Sequence, residues 1–382
     1  MIDIVKGVLD GGWALLVGWL FPSALTVLLF GFLVYPSIED VSPFNKFSSA
    51  TAILTTAAVL GIILSALQTP LYRMLEGYRW PRWPYNFGHN RHVKRRLWLR
   101  HTVNLAAYSD EKRQLQAAEG RYLKVQGSSD EESLKAAQRD VNTAEDRVKS
   151  LEPSSGAARD WLLGSSRKES RAKRRVAKAE SLPLLRRQIL AERLERYPRD
   201  EDQILPTMLG NAIRRFERFG PEHYGLDQQR LWYELTGLAP EAVSKQVGQA
   251  RTAVDFFVSL MYGQMLIALL AAVTMAFDPE RRAYLAFGVL AAVMIAIGAY
   301  RGAIAATDEW AYSVQALVNA GRGPLAKGLA LKLPATLGEE QQMWRSVGRF
   351  LGPKPAAERL RALDKYRLTA PGKDSKERTV GH

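Results

Sequence analysis

The sequence of 382 residues contains no cysteine, which excludes disulfide bonds, thiolate nucleophiles and cysteine-bound metal ions. It also lacks the HExxH zinc motif, the GxSxG nucleophile motif and the GxxxxGK[ST] phosphate-binding loop. Only five histidines occur; His89 and His92 lie three residues apart, but the sequence assigns them no carboxylate partner. We therefore predict a protein that is not an enzyme and has no metal site and no cofactor.

Charge is missing from four long stretches, although 24% of all residues are charged. Each is rich in Leu, Val, Ala, Ile, Phe and Gly and approaches or exceeds the roughly 20 helical residues that cross a bilayer. They are residues 11–38, 47–72, 256–277 and 283–300. They predict an all-α membrane protein with four transmembrane helices in two hairpins, which flank a helical cytoplasmic domain.

The same stretches predict the domain boundaries. Hairpin one is residues 1–72, with spans at about 11–35 and 49–69, and hairpin two is residues 253–303, with spans at about 255–277 and 283–303. The cytoplasmic domain is residues 73–252. A helical cytoplasmic tail follows at 304–382, and roughly its last 12 residues are expected to be disordered.

Basic residues predict the orientation. Residues 73–100 hold eight Lys and Arg against a single acid, Glu76, and positive charge next to a span marks the cytoplasmic side. The loop between the last two spans is mildly contrary, because it contains Arg281 and Arg282. We predict a multi-pass protein of the bacterial inner membrane with both termini in the cytoplasm.

The cytoplasmic middle is strongly basic: residues 73–251 contain 35 basic and 24 acidic side chains, a net charge of +11. Such a surface suits anionic lipid headgroups, but ordinary positive-inside bias and solvated helix faces are the simpler explanation. Nucleic acid is a disfavoured partner, because neither an RNA-binding aromatic signature nor a Cys/His finger is present. The candidate contacts with lipid or a protein partner are Trp80, Arg82, Trp83, Lys94, Arg95, Arg96, Arg167, Lys168, Arg171, Lys173, Arg174, Arg175 and Lys178.

Two segments of this middle have a predicted structure. Residues 102–151 are predicted to form a helical hairpin that turns at Gly127, because the second arm has an a/d stripe of small and apolar residues. The stripe consists of Leu134, Ala137, Val141, Ala144, Val148 and Leu151. Residues 153–183 begin with Pro, Ser and Gly and continue with a basic run, which predicts a linker.

Ionisable residues are absent inside the predicted spans and occur only at their inner edges, which disfavours a coupled transporter. Arg251, Asp255 and Arg301 are either ordinary interfacial charges or, in a homo-oligomer, a ring around an inner pore mouth. Two functions remain. One is a homo-oligomeric channel or pore former controlled by its cytoplasmic domain. The other is a membrane-anchored scaffold or signalling protein that binds a protein partner or anionic lipid.

Three blocks resemble an uncharacterised family of bacterial multi-pass membrane proteins for which no activity is known. They are PLYRMLEGY (70–78), PATLGEEQQMW (334–344) and the long block at 204–260 that begins ILPTMLGNAIRRFERFGPEHYGLDQQRLWYELTG. The resemblance implies that residues 204–255 are a shared structural element, and it supplies no catalytic residue. The predicted layout is also similar to that of the bestrophin channels, in topology alone.

Overall fold

The computed structural model describes residues 12 and 14–38, together with 50–126, 130–164, 169–352 and 363–368. Within these ranges the regular elements are helices joined by turns and loops, apart from one antiparallel bridge between Leu331 and Arg367. The predicted all-α fold is therefore confirmed. The end of the tail, predicted as disordered, lies outside the described residues.

The described helices are as follows. A π-helical turn, Leu16–Leu20, leads into α1 (Phe21–Leu33), and α2 (Ala50–Ala66), α3 (Gln68–Glu76), α4 (Arg82–Val125), α5 (Glu131–Gly164), α6 (Glu169–Glu180) and α7 (Leu184–Glu195) follow. The remainder are α8 (Met208–Glu217), α9 (Phe219–Tyr224), α10 (Trp232–Leu238), α11 (Glu241–Phe277), α12 (Arg282–Gly328) and α13 (Leu337–Phe350). The chain divides into a spanning unit, residues 1–79 and 208–382, and a middle unit, residues 80–207.

The spanning unit contains three helices that are long and apolar enough to cross a membrane, which supports a membrane protein: Leu16–Ser37, α11 and α12. The predicted second span differs, because α2 and α3 are bent by 60° at Leu67 and count as a fourth crossing only if the pair is one span. Pro70 accounts for the break, since its ring would clash with the carbonyl of Ala66 in a continuous helix.

Helices α11 and α12 form the centre of the spanning unit, with 37 and 47 residues. At 1.5 Å per residue they are about 55 and 70 Å long, well beyond the ~30 Å hydrocarbon layer. Their polar extensions pack with α8, α10 and α13 around a core in which Trp344, Leu209, Leu235 and Leu317 are fully buried. Part of the predicted tail, from residue 304 to Gly328, thus continues the helix of the fourth predicted span.

Small residues bring the predicted spans together. Ala292 and Ala296 on α12 are buried, and a side chain added at Gly288 would collide with Leu33 of α1. Gly298, predicted with them, faces open space. The small residues that make contact thus lie on one face of α12, which is the usual basis of helix packing in membranes.

The middle unit consists of α4 to α7. Helices α4 and α5 pack antiparallel, and residues 127–129, where the hairpin was predicted to turn, lie outside the described residues. Residues 153–164 do not begin a linker but form the last turns of α5. Pro153 lies inside this helix, and further along it Ala158 and Leu162 are completely buried in a cluster with Leu105 and Val176.

A basic groove and an aspartate cluster as candidate functional sites

The middle unit contains a groove of about 1300 Å³ bounded by α4, α5, α6 and α7. We call the large apolar residues that line the groove its floor: Leu97, Trp98, Trp161, Leu182, Ile189 and Leu190. His101 stacks on the floor residue Trp161, with ring centroids 4.8 Å apart. Trp98 and Ile189 nevertheless keep 36% and 40% of their surface exposed. The groove therefore presents large apolar side chains to solvent.

Five cations also line the groove, and we call them its rim: Lys94 on α4, Arg175 and Lys178 on α6, and Arg186 and Arg193 on α7. None of the described residues that line the groove is acidic. Two acids of the middle unit have cationic partners, since Arg187 pairs with Asp110 at 2.8 Å and Arg159 pairs with Glu180. The groove thus combines positive charge with large apolar lining residues.

Thr102 adds a polar atom to this floor. It is only 4% exposed, and its Oγ1 has no hydrogen-bond partner among the described residues. A buried hydroxyl without a partner costs about 1–3 kcal/mol, so a ligand or water oxygen at this position would relieve a real penalty.

The predicted lipid or partner contacts do not all lie at the groove. Lys94, Arg175 and Lys178 line the groove, and the remaining described cations of the set, except Arg96, are exposed on helix surfaces. Lys173 pairs with Glu169 at 2.6 Å. Trp83 is exposed and stacks on Phe87, whereas Trp80 is half-buried. Arg167 and Lys168 lie outside the described residues.

Arg96 is buried, in contrast to its neighbours Lys94 and Arg95. Its guanidinium donates to the carbonyl of Arg199 and lies 3.6 Å from the Glu201 carboxylate. It therefore fastens α4 to the segment before α8 within the middle unit. A surface role for this side chain does not fit that placement.

The two spaced histidines are used structurally. His89 Nδ1 is 2.9 Å from the carbonyl of Ile204, and His92 Nδ1 is 2.9 Å from the Tyr197 hydroxyl. Burial lowers the pKa of His92 to about 4, and repulsion from Arg95 and Arg91 acts in the same direction. Within the described residues no group of three or more metal-ligating side chains converges.

Two of the three predicted pore-mouth residues meet at the bend of the spanning unit. The buried Asp255 accepts hydrogen bonds from the Tyr72 hydroxyl at 2.7 Å and from Gln68 Nε2 at 3.0 Å. Arg251 Nε lies 3.9 Å from the other carboxylate oxygen. Arg301 is exposed on α12 and takes no part in this aspartate cluster.

Sequence reasoning missed Arg186 and Arg193 at the groove and Gln68 and Tyr72 at the aspartate cluster. On α7, Arg186, Ile189 and Arg193 share one helical face, a spacing that is visible in the sequence. No comparable signal links Tyr72 to Asp255, because they are 183 residues apart.

No protein-family model, curated protein or solved structure matches the chain. Both sites are therefore interpreted from their own chemistry.

Proposed function

We propose that the chain is a membrane-anchored binding protein of the bacterial inner membrane, whose middle unit binds anionic lipid headgroups. Three candidate spans and the bent pair support four crossings in two hairpins. Four crossings leave both termini on one side, and the basic residues at 73–100 favour the cytoplasm for that side. The resemblance to bacterial multi-pass membrane proteins is consistent with this layout. Like the layout, a relation to that family is proposed here.

One observation carries the proposal: five cations surround the groove, and no acid occurs among its described lining residues. Near an anionic membrane surface each Lys or Arg contributes about 1 kcal/mol of attraction. Residues 80–207 as a whole contain 27 basic and 18 acidic side chains, so their field also attracts anions. An acidic protein partner is the alternative occupant, and the experiment below separates the two.

The absence of cysteine makes a direct test possible, because one introduced cysteine gives one labelled site. Ser181 is exposed beside the groove and can be replaced by cysteine and coupled to an environment-sensitive fluorophore. In nanodiscs that contain anionic lipid, we expect a blue-shifted emission that high salt reverses, because salt screens exposed charges. In purely zwitterionic nanodiscs the shift should be absent.

Two charge variants complete this test. Lys178→Gln with Arg186→Gln removes two rim cations, whereas Arg171→Gln with Arg174→Gln removes two exposed cations that do not line the groove. We expect the first pair to weaken the lipid-dependent shift and the second pair to leave most of it. An emission that is the same in anionic and zwitterionic nanodiscs would overturn the proposal.

A homo-oligomeric channel controlled by the middle unit is the second candidate, favoured by buried polar atoms in two of the spans. In α1 and α11, Ser23, Ser259 and Gln264 are almost completely buried and have side-chain polar atoms without a hydrogen-bond partner among the described residues. Such atoms are often found where water or an ion enters a protein. The purified protein should then be oligomeric and pass current in planar bilayers, with altered selectivity in Asp255→Asn; a monomer without conductance would exclude this candidate.

A further inference from the structure

We propose that the groove of the middle unit takes up one acyl chain of an anionic membrane lipid while the rim cations hold its headgroup. This inference rests on the proposed function and adds to it: the site binds the chain as well as the charge. The lipid is drawn from the membrane that anchors the protein. An amphipathic acidic helix of another protein is the rival occupant.

The first argument is the combination of volume and polarity. Small-molecule pockets usually measure about 300–1000 Å³, so a groove of about 1300 Å³ accepts a ligand larger than a typical small molecule. Trp98 and Ile189 remain partly exposed on the floor although their side chains are large and apolar. An alkyl chain covers such a surface, whereas a compact anion such as phosphate leaves it in water.

The second argument is the arrangement of α7. Arg186 and Arg193 lie seven residues apart on the same face, with Ile189 and Leu190 between them. This face therefore presents two apolar side chains with a cation at each end. The arrangement suits a ligand that has both anionic and apolar parts better than a purely polar or a purely apolar ligand.

The third argument is the buried hydroxyl of Thr102. Thr102 lines the groove, and its Oγ1 is buried without a hydrogen-bond partner among the described residues, so a ligand oxygen that reaches the hydroxyl would accept its proton. Acyl chains of lipids are attached through esters, whose carbonyl oxygens are suitable acceptors. Thr102 thus supplies a polar contact that a plain hydrocarbon could not use.

Photo-crosslinking with the full chain in nanodiscs tests this inference. One lipid carries a diazirine in its acyl chain on an anionic headgroup, and a second carries the same chain on a zwitterionic headgroup. We expect the anionic lipid to label peptides containing Trp98, Thr102 and Ile189 at least about tenfold more than the zwitterionic lipid. Labelling of α11 and α12 should depend little on the headgroup and serves to normalise the yields.

Matched variants decide whether labelling comes from the groove itself. Ile189→Trp places a large ring in the groove and narrows it, whereas Leu185→Trp adds the same ring to α7 at a site that is 68% exposed and does not line the groove. We expect the first variant to abolish most of the charge-dependent labelling and the second to retain it. The Ser181 fluorescence of each variant reports whether its headgroup binding survives.

Three results would overturn the inference. If anionic lipid shifts the fluorescence at position 181 but never labels the groove peptides, the proposed function stands and chain uptake is wrong. If Ile189→Trp and Leu185→Trp are labelled equally, the chain does not enter the groove. If neither fluorescence nor labelling responds to lipid charge, both proposals fail, and an acidic protein becomes the better occupant.

Discussion

The tie between the bend and Asp255 yields a quantitative prediction. Tyr72→Phe removes the hydroxyl that donates to the Asp255 carboxylate at 2.7 Å and leaves the rest of the side chain in place. A hydrogen bond to a charged group contributes about 1.5–3 kcal/mol, and the site is buried, so we expect a loss of this size. The loss should appear as a lower unfolding temperature in detergent and as faster hydrogen exchange in residues 68–76.

Asp255→Ala should cost more, because it leaves both the Tyr72 hydroxyl and the Gln68 amide without an acceptor. In a double-mutant cycle the double variant should lose about 1–2 kcal/mol less stability than the sum of the losses in Tyr72→Phe and Asp255→Ala, since both changes delete the same contact. Tyr233→Phe is the matched control, because this side chain lines the same cavity as Gln68 and Tyr72 but is 86% exposed. If Tyr72→Phe is as harmless as Tyr233→Phe, the hydrogen bond does not hold the bend.

Three further predictions concern other parts of the molecule. The pKa of His92 is about 4 in the folded protein and 6.5 for a free imidazole. Between these pH values the unfolded chain binds more protons than the folded one, so the free energy of unfolding should fall as the pH drops from 6.5 towards 4. Because the ring is partly solvated, the fall should be less than ~1.4 kcal/mol per pH unit. Thermal unfolding of the full chain across this range measures the slope, which His92→Gln should reduce. Trp344→Ala should cost about 3–5 kcal/mol, because the ring is fully buried in the core between α8, α10 and α13, and retention of the wild-type unfolding temperature would contradict this packing. Thr102→Val should leave the free protein as stable or more stable, since it removes an unpartnered buried hydroxyl, yet it should weaken labelling of the groove by acyl lipid.

Composition and periodicity were sufficient for the helical fold and for three of the apolar spans. The uncharged stretches needed no tertiary information, because a bilayer selects directly for length and apolarity. The bend in the second predicted span had a local cause as well: Pro70 is visible in the sequence, but the prediction gave its effect on the helix no weight. The four-span, two-hairpin layout stays a prediction.

The sites depended on information that a single sequence does not carry. Arg95 and Arg96 are neighbours of identical chemistry, yet one is exposed and the other is buried against Arg199 and Glu201, more than 100 residues away in the chain. The groove likewise forms only where four helices converge. The sequence showed a basic run, but it could not show which apolar residues pack beside it. Tertiary packing decided which of many similar side chains became part of a site.

The unbroken course of α12 has a mechanical consequence. The helix continues for 27 residues beyond Arg301, about 40 Å, and its far end is clamped by the core around Trp344. A rod of this length is a lever: tilting its apolar part by about 10° would move the far end by roughly 7 Å if nothing else yielded. Close-packed cores do not deform smoothly by such amounts, so lateral pressure or a change in bilayer thickness would be felt as strain in the core around Trp344.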